Sequence, residues 1–138
     1  MPISGGAVAP KRIADVAAAA RILAARGVVD GFGHVSMRHP EAPDRYLMSR
    51  ALAPALVTPE DVVEYDLDSD ACNPDAPKGF LERFIHGQIY HARSDVCAVV
   101  HSHSPSVIPF RLTKAPMQAC FHNSPFLHHG VPAFAIAP

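Results

Sequence analysis

The segment Val96-Cys97-Ala98-Val99-Val100-His101-Ser102-His103-Ser104-Pro105 turns from apolar to polar halfway along its length. Its first half is rich in β-branched residues and too short for a typical helix, so it reads as a buried strand. Side chains alternate across a strand, which puts His101 and His103 on one face and turns Ser102 away. Ser104 followed by Pro105 has the form of a helix start, with the serine as cap and the proline at the first helical position. Two imidazoles therefore stand at the carboxyl end of a strand, where α/β sheets collect ligands. A His-x-His pair alone is read equally as a transition-metal site or as two hydrogen-bonded core side chains. The rest of the chain has to decide between them.

Working outward, the 138 residues are enough for one domain, expected over residues 1–138 with residues 1–9 as a flexible lead-in. Hydrophobic residues make up 49% and charged residues 18%, which fits a soluble globular protein. A formal net charge of −1 supplies no field to attract nucleic acid or an anionic membrane, so neither is expected as a partner. Cys72, Cys97 and Cys120 are odd in number and lack a CxxC spacing, which argues against a disulfide framework or a thiolate zinc site. No basic start precedes a long apolar run, and no run reaches membrane-spanning length, so a cytoplasmic protein is expected. Of the nine histidines, most lie in the second half of the chain.

Ile13, Val16, Ala17, Ala20, Leu23 and Ala24 follow helical spacing from Pro10 to Arg26, ended by Gly27 at a C′ position. Gly31 to Arg38 combines two glycines with an alternating run, a tight turn entering a strand, and Arg45 to Ser49 reads as its partner. Thr58-Pro59-Glu60-Asp61 has the form of a capped single turn leading into a strand at Val62 to Leu67. A surface loop from Asp68 to Lys78 gives way to a helix from Phe80 to Ala92, with Phe80, Phe84, Ile85 and Ile89 as its stripe. That helix feeds the His-x-His strand, which indicates a layered α/β domain. Val131 to Ile136 reads as a last strand entered through a proline.

Three pieces, taken in order, resemble the class II aldolase/adducin family: Gly33-His34-Val35-Ser36-Met37-Arg38; Glu82-Arg83-Phe84-Ile85-His86-Gly87-Gln88-Ile89-Tyr90 with Arg93-Ser94-Asp95-Val96; and Val99-Val100-His101-Ser102-His103-Ser104. The resemblance covers nearly all of residues 12 to 137. It implies a three-layer α/β/α sandwich around a mixed, largely antiparallel sheet, and a divalent metal, Zn²⁺ or Mn²⁺, held by His101, His103 and a third histidine downstream. It also implies Glu82 as the acid/base and a homotetramer, or at least a homo-oligomer, acting on a small-molecule substrate. The residue types suit such chemistry independently. Breaking a C–C bond beside a carbonyl leaves an electron pair that a Lewis acid can stabilise, and a nearby carboxyl can move the proton. The plainer reading of Glu82 is an exposed carboxylate pairing with Arg83 or Lys78. His86, one turn after Glu82, is an alternative ligand, although a structural hydrogen bond is the preferred reading.

Two departures from the family pattern shape the expectation. Where its phosphosugar aldolases carry serine-rich, phosphate-binding stretches, this chain has Met48-Ser49-Arg50-Ala51-Leu52 and Gly79-Phe80-Leu81-Glu82. Apolar bulk and one guanidinium replace hydroxyl donors, so a phosphate cradle is not expected. Arg50 is either a bidentate partner for a substrate carboxylate or a solvent-facing arginine. This pattern is closer to the branch that decarboxylates hydroxylated aromatic acids, with Ser49, His34 and His122 as further substrate-binding candidates. Secondly, Phe126-Leu127-His128-His129-Gly130-Val131-Pro132 does not match the family's third-ligand stretch, so the C-terminal strands are expected to be missing, with His128 or His129 as a substitute ligand. The competing functions are a metal-dependent lyase, a non-catalytic adducin-like or truncated domain, and a phosphosugar aldolase. A zinc hydrolase has less support, for want of an HExxH or serine-nucleophile motif.

Overall fold

The computed structural model describes residues 2–132. The chain divides into two compact units, Met1–His103 and Ser104–Pro138. The first opens with helix α1, Pro10–Ala25, in which proline takes the first helical position. Its end is a Schellman motif: Gly27 N–H donates to Ala24 O and Val28 N–H to Leu23 O, with Gly27 in the left-handed region at φ +66°. Residues 2–9, expected as a flexible lead-in, are tied to the sheet, since Ser4 Oγ and Gly5 N–H both donate to the Glu64 carboxylate at 2.6 Å.

Four strands follow: β1 His34–Arg38, β2 Arg45–Ser49, β3 Val62–Asp66 and β4 Ala98–His101. Their order in the sheet is β3-β2-β1-β4, and every pairing among the described strands is antiparallel. Register fixes which residues share a face. Ser36 lies opposite both Met48 and Val99, Met48 opposite Val63, Tyr46 opposite Tyr65, and His34 opposite His101. One face thus carries His34, Ser36, Tyr46, Met48, Val63, Tyr65, Val99 and His101, and helix α2, Arg83–Ala92, covers it through Tyr90 and Ile89. The other face carries Val35, which packs with Ala17 and Ala20 of α1 and with Val57. Helix, sheet and helix form the layers expected from the sequence.

Two elements depart from expectation. Helix α2 starts at Arg83 rather than Phe80, because Leu81 and Glu82 form a turn that leaves Glu82 at the N-cap. Among the described strands the His-x-His strand lies at an edge of the sheet, and of its four residues only Val99 is buried, with Val100 47% exposed. Helix α2 sits close to the loop before it. Gly87 has no room for a Cβ, which would strike Ser69 Oγ and the Leu67 carbonyl. Ser69, buried and left-handed at φ 68°, accepts a hydrogen bond from Tyr46 OH at 3.0 Å, while its carbonyl accepts one from Arg83 Nε at 2.8 Å. These bonds pin the first turn of α2 and with it Glu82.

In the second unit the helix foreseen at Pro105 begins later, as α3, Ile108–Leu112, after a turn in which Ser104 O accepts the Val107 and Ile108 N–H groups. A single 3₁₀ turn, Pro125–Leu127, follows. Of the strand expected at Val131 to Ile136, Val131 and Pro132 are not in a strand and the remainder lies outside the described residues. Among the described residues, no helix is long and apolar enough to cross a membrane.

Candidate metal centre and active site

The polar end of the α2-covered face gathers four side chains from three places in the sequence. Pairing of β1 with β4 sets His34 beside His101, their rings stacked at 4.8 Å between centroids and 17° between planes. His103, past the end of β4, returns to the same side, and its Nε2 lies 3.0 Å from His101 Nε2. Glu82 reaches in from the start of α2. Its Oε2 is 3.5 Å from both His34 Nε2 and His101 Nε2, and its Oε1 is 3.9 Å from His103 Nε2. Ligating atoms of His34, Glu82 and His101 all lie within 4.8 Å of one another.

This donor set fits a divalent ion. His34 Nε2 is buried without a hydrogen-bond partner, a costly state for a polar atom unless something else is bound there. His101 Nε2 and His103 Nε2 meet at hydrogen-bond distance, 3.0 Å, beside the same carboxylate, so three imidazoles converge on one point. Imidazole and carboxylate donors suit Zn²⁺ and the neighbouring transition metals.

Electrostatics keep the ring nitrogens available. Burial first, and the neighbouring His101 second, push His34 down to about 4, with Glu82 opposing. Burial, then His34 and His101, push His86 down to about 3. Both rings are neutral at physiological pH, the state in which imidazole binds a metal. Asp30 holds the outer side, its Oδ1 3.4 Å from His103 Nδ1 while accepting the Phe32 and Gly33 N–H groups. The backbone bond from Phe32 leads in holding its carboxyl below the usual range.

Glu82, His101, His103 and His34 are brought together as a set. His86 is fully buried and hydrogen-bonded through both nitrogens, in keeping with the structural reading preferred for it. Ser49 is buried at the end of β2. Arg50 donates from Nε to Asp61 Oδ1 at 2.6 Å and does not line the cleft beside Glu82. His122, His128 and His129 lie exposed in the second unit. Sequence reasoning missed Asp30, although Asp30-Gly31-Phe32-Gly33 carries the signature of an Asx turn. It also missed the buried partners of His86, which no local pattern marks.

Beside Glu82 runs a cleft of about 500 Å³ lined by Phe32, Leu52, Lys78, Phe80 and Leu81, with glycine and alanine between them. Its walls are mainly apolar, with Lys78 as the cation and Glu82 as the anion.

Comparison with known proteins places this architecture. Decarboxylase tropJ of Talaromyces stipitatus is 44% identical over 118 residues, covering 84% of this chain and 44% of that protein. The 3,4-dihydroxyphthalate decarboxylase of Arthrobacter keyseri is 34% identical over 103 residues, covering 67% of this chain and 40% of its own length. The chain thus spans less than half the length of these curated relatives. Among solved structures, an aldolase II superfamily protein from Pseudomonas syringae superposes with a TM-score of 0.65 at 26% identity, covering 72% of this chain and 41% of that one. The L-fuculose-1-phosphate aldolase of Thermus thermophilus shares the fold at a TM-score of 0.70 and 21% identity, covering 91% and 64%. Residues 14–137 match the family described as Class II Aldolase and Adducin N-terminal domain, and the chain belongs to that family.

Proposed function

We propose that this chain carries the acid/base and metal-binding residues of a metal-dependent lyase that decarboxylates a small hydroxylated aromatic carboxylic acid. The observation that carries the reading is the convergence of Glu82 with His34, His101 and His103 at the mouth of an apolar cleft. His101 and His103, with His34, would hold a divalent ion, Zn²⁺ or Mn²⁺. Such an ion, when bound, supplies Lewis-acid stabilisation of charge developing on substrate oxygen. Phe32, Leu52, Phe80 and Leu81 take the aromatic ring and exclude water, while Lys78 offers a positive charge to a carboxylate. When the bond between ring and carboxylate carbons breaks, its electron pair stays on the ring and carbon dioxide leaves. Glu82 gives its proton to that ring carbon and is reprotonated from water, a transfer worth on the order of 10²–10⁴-fold in rate.

The decarboxylase relatives support this choice over a phosphosugar aldolase, and so does the cleft, which offers apolar side chains and one lysine in place of hydroxyl donors. Phe84 and Ile85, large apolar side chains exposed on α2, support assembly as a homo-oligomer, which sedimentation tests. The function is tested by incubating the Zn²⁺- or Mn²⁺-loaded protein with a panel of hydroxybenzoates, hydroxyphthalates and phosphosugars, and measuring carbon dioxide and aldehyde. Carbon dioxide release from a hydroxyaromatic acid, lost on chelation, is the expected result. Cleavage of a phosphosugar alone would overturn it.

A further inference from the structure

Behind the site lies a buried chain of four polar side chains. His34 Nδ1 is 2.8 Å from His86 Nε2, His86 Nδ1 is 2.6 Å from Ser36 Oγ, and Ser36 Oγ is 2.8 Å from Tyr90 OH. His86 and Ser36 are wholly buried, Tyr90 is 1% and His34 2% exposed. Alternation on β1 sets His34 and Ser36 on one face, and one turn of α2 separates His86 from Tyr90, so the four interleave. Arg38 fixes the far end by donating from Nη2 to the Tyr90 carbonyl, its guanidinium 4.7 Å from the centre of the Tyr90 ring.

Counting hydrogens limits what this chain can do. His34 and His86 are shut away from water, where the neutral ring is the favoured form, so each carries one N–H, and Ser36 and Tyr90 carry one O–H each. Three contacts take three of these four hydrogens. The fourth must sit at one end. In one arrangement Tyr90 donates to Ser36, Ser36 to His86 Nδ1, and His86 Nε2–H to His34 Nδ1, leaving an N–H on His34 Nε2 that points toward Glu82. In the other every bond is reversed, and His34 Nε2 presents a lone pair to the Glu82 carboxylate 3.5 Å away. Lone pair against carboxylate is repulsive unless a cation lies between them.

We infer that His86, Ser36 and Tyr90 are positioning residues whose hydrogen-bond direction sets the tautomer of His34, so that the chain runs one way without a cation at Glu82 and the other way with one. The inference rests on the metal-dependent reading above. The change is balanced through water: one proton leaves His34 Nε2 to water, water supplies one to the Tyr90 oxygen as its own hydrogen passes to Ser36, and the intervening hydrogens each cross their own contact. Net protonation is unchanged. Tyr90→Phe removes the acceptor that Ser36 O–H needs in the reversed direction, so it favours the arrangement with N–H on His34 Nε2 and should weaken cation binding.

The test is ¹⁵N–¹H NMR of the histidine rings in the full chain with and without Zn²⁺, the His34 signals being assigned by their loss in His34→Asn. The expected result is an Nε2–H tautomer without Zn²⁺ and an Nδ1–H tautomer with it. In Tyr90→Phe and in Ser36→Ala, Zn²⁺ affinity should fall roughly 10–100-fold, the size usual for partners behind a metal-binding histidine. Zn²⁺ binding with an unchanged His34 tautomer would overturn the inference alone. Failure to bind Zn²⁺ at all would overturn it together with the metal-dependent reading.

Discussion

The two faces of the sheet are built on opposite terms. Toward α1, Val35, Ala17, Ala20 and Val57 make a small apolar seam that could be repacked by other hydrophobes of similar volume. Toward α2, an aromatic cluster of Tyr46, Tyr65 and Tyr90 gives way, at its His34 end, to three fully buried polar side chains, Ser36, His86 and His34. Burying polar groups costs free energy unless each finds a partner, and here nearly every one does. Two atoms among the described residues lack one: Tyr65 OH, inside the aromatic cluster, and His34 Nε2, the atom aimed at Glu82. One face serves cohesion, and the other gives up cohesion to hold a site.

The largest expected effect separates these roles. Glu82→Gln should keep the fold and the bound metal while lowering turnover on the order of 10²–10⁴-fold. Val57→Ala, on the α1 side, should cost roughly 1–3 kcal/mol of stability by leaving a cavity, yet leave turnover per folded molecule intact. Metal occupancy, turnover and urea midpoints measured on the same preparations check both. Normal turnover in metal-loaded Glu82→Gln would erase the distinction between the faces.

Acid should act through the α2-covered face. Free histidine titrates near 6.5, whereas burial places His34 at about 4 and His86 at about 3. With folded-state values depressed, the unfolded chain binds protons first, so stability is fully present above about pH 6.5 and falls as pH drops toward the folded values. Between pH 7.5 and 5, above the range of most carboxylates, the loss amounts to as much as roughly 2 kcal/mol per imidazole. Urea midpoints in the presence of chelator measure it, and His86→Phe should flatten the dependence. Equal midpoints at both pH values would mean that these imidazoles are not held neutral by burial.

How far the sequence revealed this division depends on the range of the interactions involved. β1, β2 and the Gly27 stop of α1 were legible because alternation and turn chemistry act over a few residues. Convergence of His101 with His103 followed from strand spacing, and the role of Glu82 came from the family resemblance. His34 joins them through the β1–β4 ladder, a pairing between residues 34 and 101 that no local pattern encodes. For the same reason the apolar run before His101 reads as buried, whereas among the described strands it lies at an edge: composition reports the run, but only strand order reports what covers it. Arg50 was legible as a guanidinium near the site, while its partner Asp61 emerges only from the turn that brings the two together.

A smaller effect is expected where α2 meets its preceding loop. Gly87→Ala would push a methyl group against Ser69 Oγ and the Leu67 carbonyl, and backbone cannot yield as a flexible side-chain tip does. Overpacking of this kind costs about 1–3 kcal/mol. Because Ser69 also anchors Arg83, the shift should carry Glu82 with it, so metal affinity should fall along with the urea midpoint. A drop in stability with metal affinity unchanged would show that the start of α2 is held independently of Ser69.

The smallest effect belongs to Asp61, in the 3₁₀ turn Pro59–Asp61, which contacts α1. Its carboxylate accepts hydrogen bonds from Thr58 N–H and Oγ1 at 2.9 Å each and from Arg50 Nε at 2.6 Å, completing a capping box. The Thr58 backbone bond leads in holding its carboxyl below the usual range, followed by the bond from Arg50. Asp61→Ala removes the cap and the ion pair together, so stability should fall slightly. The partly exposed guanidinium adds little, since solvent screens a surface pair. The loss should appear in the urea midpoint while Zn²⁺ binding stays as it was, because Arg50 does not line the cleft beside Glu82. If substrate affinity fell as well, the freed Arg50 would have to be counted among the groups that recognise the substrate carboxylate, and the polar site would extend to the loop after β2.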